Sequence, residues 1–216
     1  AVDGAPAVYT VEVARPDREH QPPWIMSNPI YVRSRTAGPV REDVPRVEGA
    51  PVLLLHDGRS TAGWTVEHDP SSLAAIDSVS LVDGAWIRLR YGLSGGARAG
   101  QYAAASVDVP RSQVAPFEAL AFSVRGERAL RVSVQVRTEN AGSTTARWQR
   151  SIFVDETKRE YVVPLRDMRS IERGTLGGIP IEDVRSVMFV IDTTNTAPGR
   201  NGRLWVGSPA LVRLAD

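Results

Sequence analysis

Cysteine is absent from this chain of 216 residues, so no disulfide holds it and no thiol chemistry is open to it. Such a chain tolerates an oxidising compartment, and an extracytoplasmic location is the expectation. Lysine is almost absent too: Lys158 stands alone among 26 basic residues. That bias points to a GC-rich bacterial genome before any demand for bidentate phosphate recognition. Neither charge is in excess, and a net +1 excludes a general attraction to nucleic acid or anionic lipid. No apolar run approaches the roughly 18 residues of a membrane helix, and no segment carries a convincing amphipathic helical period.

What the chain does have is alternation. Leu130, Val132, Val134 and Val136 interleave with Arg131, Ser133, Gln135 and Arg137, which marks a strand with one buried and one solvated face. Residues 117–124 precede it, and Arg125-Gly126-Glu127 between them predicts a tight hairpin. Asp83-Gly84 predicts a second hairpin between Leu73–Val82 and Ala85–Leu93, where Ile87, Leu89 and Tyr91 face one way and Trp86, Arg88 and Arg90 the other. Arg147–Asp155 and Glu160–Leu165 read as a third. Val184–Asp192 is apolar on both faces, as in a covered central strand. About ten short strands between Gly- and Pro-containing turns predict an all-β antiparallel sandwich or jelly roll over residues 51–216. Residues 34–50 read as a linker, and residues 1–33 as a short β-ribbon with Trp24 pinning it.

Two resemblances bear on these readings. The ribbon residues Tyr9–Val13 and Pro23–Val32 resemble the closing segment of bacterial PHP-type metal-dependent phosphoesterase-like proteins. In that family the metal-binding His and Asp residues lie upstream of this segment, so the resemblance implies a non-catalytic part of a larger hydrolase, with an upstream catalytic domain as partner. Phe117–Arg137, Tyr161–Arg169, Val184–Asp192 and Gly202–Val206 together resemble the galactose-binding-like jelly-roll modules, which include carbohydrate-binding modules and the complex I intermediate-associated type. That likeness spans residues 52–214 and implies a carbohydrate or other polar ligand. Such modules commonly carry an acidic calcium ligand where this chain has Gly207-Ser208-Pro209, so no cofactor is expected and a structural calcium ion is doubtful.

The candidate ligand site is the polar face carrying Arg131 to Arg137. If the neighbouring strands share that face, Arg88, Arg90, Tyr102, Gln135, Arg137 and Trp148 form an aromatic platform beside guanidinium and amide donors. Sugar C–H faces stack on such rings while the polar groups bind hydroxyls. The other reading is a solvated arginine face paired with acids, with Trp148 partly buried. Trp64, Trp86 and Trp205 fall near strand ends, where core anchoring is expected. His56-Asp57 and His68-Asp69 match no ligand spacing and read as loop residues, and Glu118 with Asp108 is a conceivable glycosidase pair of unknown separation. The glycine-rich stretch 92–100 lacks the Lys-Ser/Thr of a phosphate loop. Three functions follow: a carbohydrate-binding accessory module, a docking domain for a catalytic partner without a glycan ligand, or a free-standing hydrolase.

Overall fold

The computed structural model describes residues 7–9, 12–13, 25–26, 30–32, 45–49, 51–95, 100–110, 116–139, 145–172 and 178–215. The chain divides into two compact units, residues 1–43 and 44–216. In the first, β1 (Ala7–Tyr9) pairs antiparallel with β4 (Ile30–Val32), and β2 (Glu12–Val13) with β3 (Ile25–Met26). Trp24 lies outside the described residues.

The second unit runs β5 (Leu53–Leu54), β6 (Trp64–His68), β7 (Leu73–Leu81), β8 (Gly84–Gly92), β9 (Tyr102–Asp108), β10 (Ala119–Gly126), β11 (Leu130–Glu139), β12 (Thr145–Val154), β13 (Arg159–Pro164), β14 (Arg169–Ser170), β15 (Val184–Asp192) and β16 (Asn201–Val212). These strands form two antiparallel sheets. The front sheet has the order β14-β12-β11-β15-β9-β6; the back sheet has β13-β10-β16-β8-β7, with β5 beside β16. Helical structure among the described residues is limited to single 3-10 turns at Leu165–Asp167 and Ile181–Asp183.

Alternation explains why the sheets stack. Leu120, Phe122 and Val124 of β10 and Ile87, Leu89 and Tyr91 of β8 are buried from the back sheet. From the front sheet come Val132, Val134 and Val136 of β11 and Val187, Phe189 and Ile191 of β15. Phe122 meets Phe189 edge-on at 5.0 Å, joining the layers at the centre of one continuous core. As expected from its sequence, β15 is a central strand, flanked by β11 and β9.

Two of the three expected hairpins are not hairpins. β7 and β8 do pair, with Leu81 opposite Gly84. In contrast, β10 and β11 lie in different sheets, as do β12 and β13, so each connection arches from one layer to the other. The apolar faces of β10 and β11 therefore oppose each other across the core instead of lying side by side. Gly126 is needed at that corner for closeness, since a Cβ there would stand 2.7 Å from the Arg128 carbonyl oxygen. Part of the expected linker also belongs to the sandwich edge: Val47 bridges Leu214, and the Glu48 amide donates to the Arg213 carbonyl at 3.1 Å.

Candidate functional site

The outward face of the front sheet carries a groove of about 400 Å³. Its floor follows from register. Gln149, Gln135, Met188, Ser106 and Thr65 form one cross-strand row. Ser151, Ser133, Val190, Ala104 and Glu67 form the next. Period two places all ten on one face. Met188, Val190 and Ala104 pack as a small apolar strip with Tyr102 against it, while amides and hydroxyls flank the strip.

Those polar groups are tied together. The Ser133 hydroxyl donates to Gln149 Oε1 at 2.9 Å, and Gln135 Nε2 donates to the Ser133 oxygen at 3.2 Å. Arg137 Nη2 reaches Glu67 Oε2 at 2.7 Å, and Arg147 Nε lies 3.6 Å from Glu172 Oε1. Burial works to raise the Glu172 carboxyl, but the Arg147 amide, the Ser170 hydroxyl and the Arg147 charge outweigh it and hold it below its ordinary value. Both arginines of the groove are thereby neutralised. Asp192, at the groove's end, accepts from the amides of Thr194 and Asn195 at 2.9 and 3.1 Å and fixes the turn that borders it.

Tyr102 is placed by its own backbone. Its amide donates to Asp69 Oδ2 at 2.8 Å, and the Asp69 amide donates to its carbonyl at 3.2 Å. Asp69 also accepts from the Ser71 amide at 2.9 Å. Burial alone would raise this carboxyl, yet the Ser71 hydroxyl and the Tyr102 and Ser71 amides hold it well below the usual range. Beside Tyr102, Gln101 is 1% exposed, and neither carboxamide atom has a partner among the described residues.

The six residues expected to share a face are thus divided. Tyr102, Gln135 and Arg137 line the groove. Trp148 does not: it is 5% exposed and points into the core from β12, whose outward residues include Arg147, Gln149 and Ser151. Arg88 and Arg90 belong to β8 in the back sheet, where Arg88 makes a two-point ion pair with Asp77. Its hydrogen bond, with its charge and those of Arg90 and Arg203, holds the Asp77 carboxyl below its ordinary value. Glu67, Gln149 and Arg147 also line the groove and are not among the residues expected there, although the alternation of β12 marks the last two. Trp64 is core, whereas Trp86 and Trp205 face outward from the back sheet.

The other candidates take separate roles. His56 Nδ1 accepts from the Gly58 amide at 2.8 Å, and its ring meets Trp64 edge-on at 5.8 Å. His68 Nδ1 lies 2.8 Å from the Asp69 carbonyl oxygen. Glu118 accepts from the Leu214 amide, while Asp108 sits opposite Ser186 on the front sheet. Among the described residues no three His, Asp or Glu side chains converge as a metal site. Residues 96–99 of the glycine-rich stretch lie outside the described residues.

Against solved structures the sandwich finds clear counterparts. The family 11 carbohydrate-binding module of cellulosomal cellulase Lic26A-Cel5E of Clostridium thermocellum superposes with a TM-score of 0.60 at 15% identity, over 76% of this chain and 94% of that one. The fold is that of a carbohydrate-binding-module β-sandwich. A structure of the Clostridium thermocellum family 11 module in complex with a β-1,3-1,4-mixed-linked tetrasaccharide matches with a TM-score of 0.60 at 14% identity, over 76% and 96% of the two chains. A family 30 carbohydrate-binding module gives 0.52 at 12% identity, over 76% and 98%. No protein-family model matches the sequence, and no curated protein matches it either.

Proposed function

We propose that the sandwich is a non-catalytic carbohydrate-binding module whose front-sheet groove holds a neutral glycan. The observation that carries this reading is the composition of the groove: one partly buried tyrosine against an apolar strip, bordered by Gln135 and Gln149, with Arg137 and Arg147 already matched by carboxylates. A pyranose offers C–H faces for the ring and hydroxyls for the amides and guanidinium groups, and a neutral chain leaves the two ion pairs intact. The shared fold with modules that include one in complex with a β-1,3-1,4-mixed-linked tetrasaccharide supports the same ligand class. We further infer that residues 1–33 are the end of a PHP-type domain and that the module serves a larger hydrolase whose catalytic residues lie in upstream sequence.

Calorimetric titration with β-1,3-1,4-mixed-linked tetrasaccharide and a panel of neutral oligosaccharides tests the first part. Binding that Tyr102→Ala and Gln135→Ala each weaken by about tenfold, near 1.4 kcal/mol, is the expected outcome. A panel without any binder, with the fold intact, refutes the reading in favour of a docking domain.

A further inference from the structure

The outward face of the back sheet carries a second cluster that the groove leaves unexplained. Register sets Arg125 of β10, Trp205 of β16, Arg88 of β8 and Asp77 of β7 in one row. Val124, Val206 and Ile87 in the adjoining row are core, so this row points away from it. On the far side, Trp86 lies over Gly207, where a Cβ would come within 3.1 Å of the ring. Trp86 is 1% exposed although it faces outward, because cations lie over it. The Arg125 guanidinium carbon is 5.6 Å from the Trp86 ring centroid and 5.0 Å from that of Trp205, and the Lys158 ammonium is 5.6 Å from Trp86.

The neighbouring cations have their anions. Arg88 has Asp77, and Lys158 is 3.1 Å from Glu160. Arg125 has none: among the described residues its side chain has no ion-pair or hydrogen-bond partner, and its Nε is buried without an acceptor. Two indoles fix the guanidinium in place, so it loses little further rotamer freedom on taking an anion. Trp205 beside it is partly exposed and offers a flat apolar edge.

We propose that Arg125 and Trp205 form a second ligand site, for a carboxylate-bearing sugar such as a uronate. The carboxylate meets the terminal nitrogens of Arg125, and the pyranose ring lies against Trp205. A neutral sugar would leave the guanidinium uncompensated. The array matches a small anionic ligand: a single unpartnered guanidinium stands beside a single partly exposed indole, and the neighbouring Arg88 and Lys158 already have their carboxylates. This site is on the opposite sheet from the groove and stands independently of the neutral-glycan reading.

The test is a titration of the intact chain with trigalacturonate, following the Trp205 indole N–H and Arg125 Nε–H resonances by 1H-15N NMR. Saturable shifts at both are expected, with no shift from neutral galactotriose. Arg125→Gln and Trp205→Ala should each weaken the affinity about tenfold or more, Arg125→Lys should also weaken it because the planar fork is lost, and Tyr102→Ala should leave it unchanged. Melting curves confirm that each variant is folded. The proposal is overturned if trigalacturonate moves neither resonance, if Arg125→Gln binds as the parent does, or if a triglutamate peptide binds equally well.

Discussion

Arg137 on β11 and Glu67 on β6 meet at 2.7 Å although two strands, β15 and β9, run between them. The pair bars the front-sheet face above the Ala104 and Met188 strip. Each side chain is 29% exposed, so the pair should contribute about 0.5–1 kcal/mol. Glu67→Gln is expected to lower the melting temperature by about 1–4 °C at low salt, and the difference should shrink in 1 M NaCl. Calorimetric melting at both ionic strengths checks this; equal melting temperatures at low salt would show that the bar contributes nothing to stability.

Trp148 and Arg147 are adjacent on β12 and face opposite ways. Trp148→Ala removes a core ring and should cost about 3–5 kcal/mol in urea unfolding. Arg147→Ala should cost under about 1 kcal/mol, as expected of a partly exposed ion pair, while weakening glycan binding. A mild Trp148→Ala phenotype combined with lost binding would put the ring in the groove and contradict the assignment of faces.

Gly58 and Gly63 both have positive φ, at 79° and 78°, but differ in surroundings. A Cβ on Gly58 would stand 2.4 Å from the Ala85 carbonyl oxygen, whereas Gly63 has nothing within 4 Å. Gly63→Ala carries left-handed strain alone, about 1–2 kcal/mol. Gly58→Ala adds collision with backbone and should cost about 3 kcal/mol or more. Equal unfolding free energies for the two variants would contradict this difference.

Asp69 and Asp77 titrate below the ordinary carboxylate value of 3.8 in the folded chain. A carboxyl depressed in the folded state contributes stability that is fully present above the ordinary value and is lost as pH falls from there through the folded-state value. The melting temperature should therefore fall as pH drops from about 5 to 2, and Asp69→Asn should flatten that slope. An unchanged slope in Asp69→Asn would remove the hydrogen bonds around Tyr102 as its source.

The faces of individual strands were legible, and their partners were less so. Ile87, Leu89 and Tyr91 against Trp86, Arg88 and Arg90 came out on opposite sides of β8 because period two is a local property. Asp83-Gly84 identified a true hairpin for the same reason: two residues close it. Gly126 marked a sharp corner correctly, yet nothing local says whether a corner keeps the chain in one sheet or carries it across the core. That ambiguity put Arg88 on the groove, whereas Trp148 was assigned to the wrong face of β12, a strand whose alternation with Arg147 and Gln149 marks the ring as core. Glu67 was out of reach altogether, since it meets Arg137 from 70 residues away.

Recognition of a neutral glycan is assigned to the front-sheet groove, and not to the back sheet or the core. Titrating mixed-linked β-glucan oligosaccharide into the parent chain, Tyr102→Ala and Arg125→Gln tests it most directly. Saturable binding that Tyr102→Ala weakens about tenfold and Arg125→Gln leaves unchanged is the expected result. Binding insensitive to Tyr102→Ala and abolished by Arg125→Gln would contradict it.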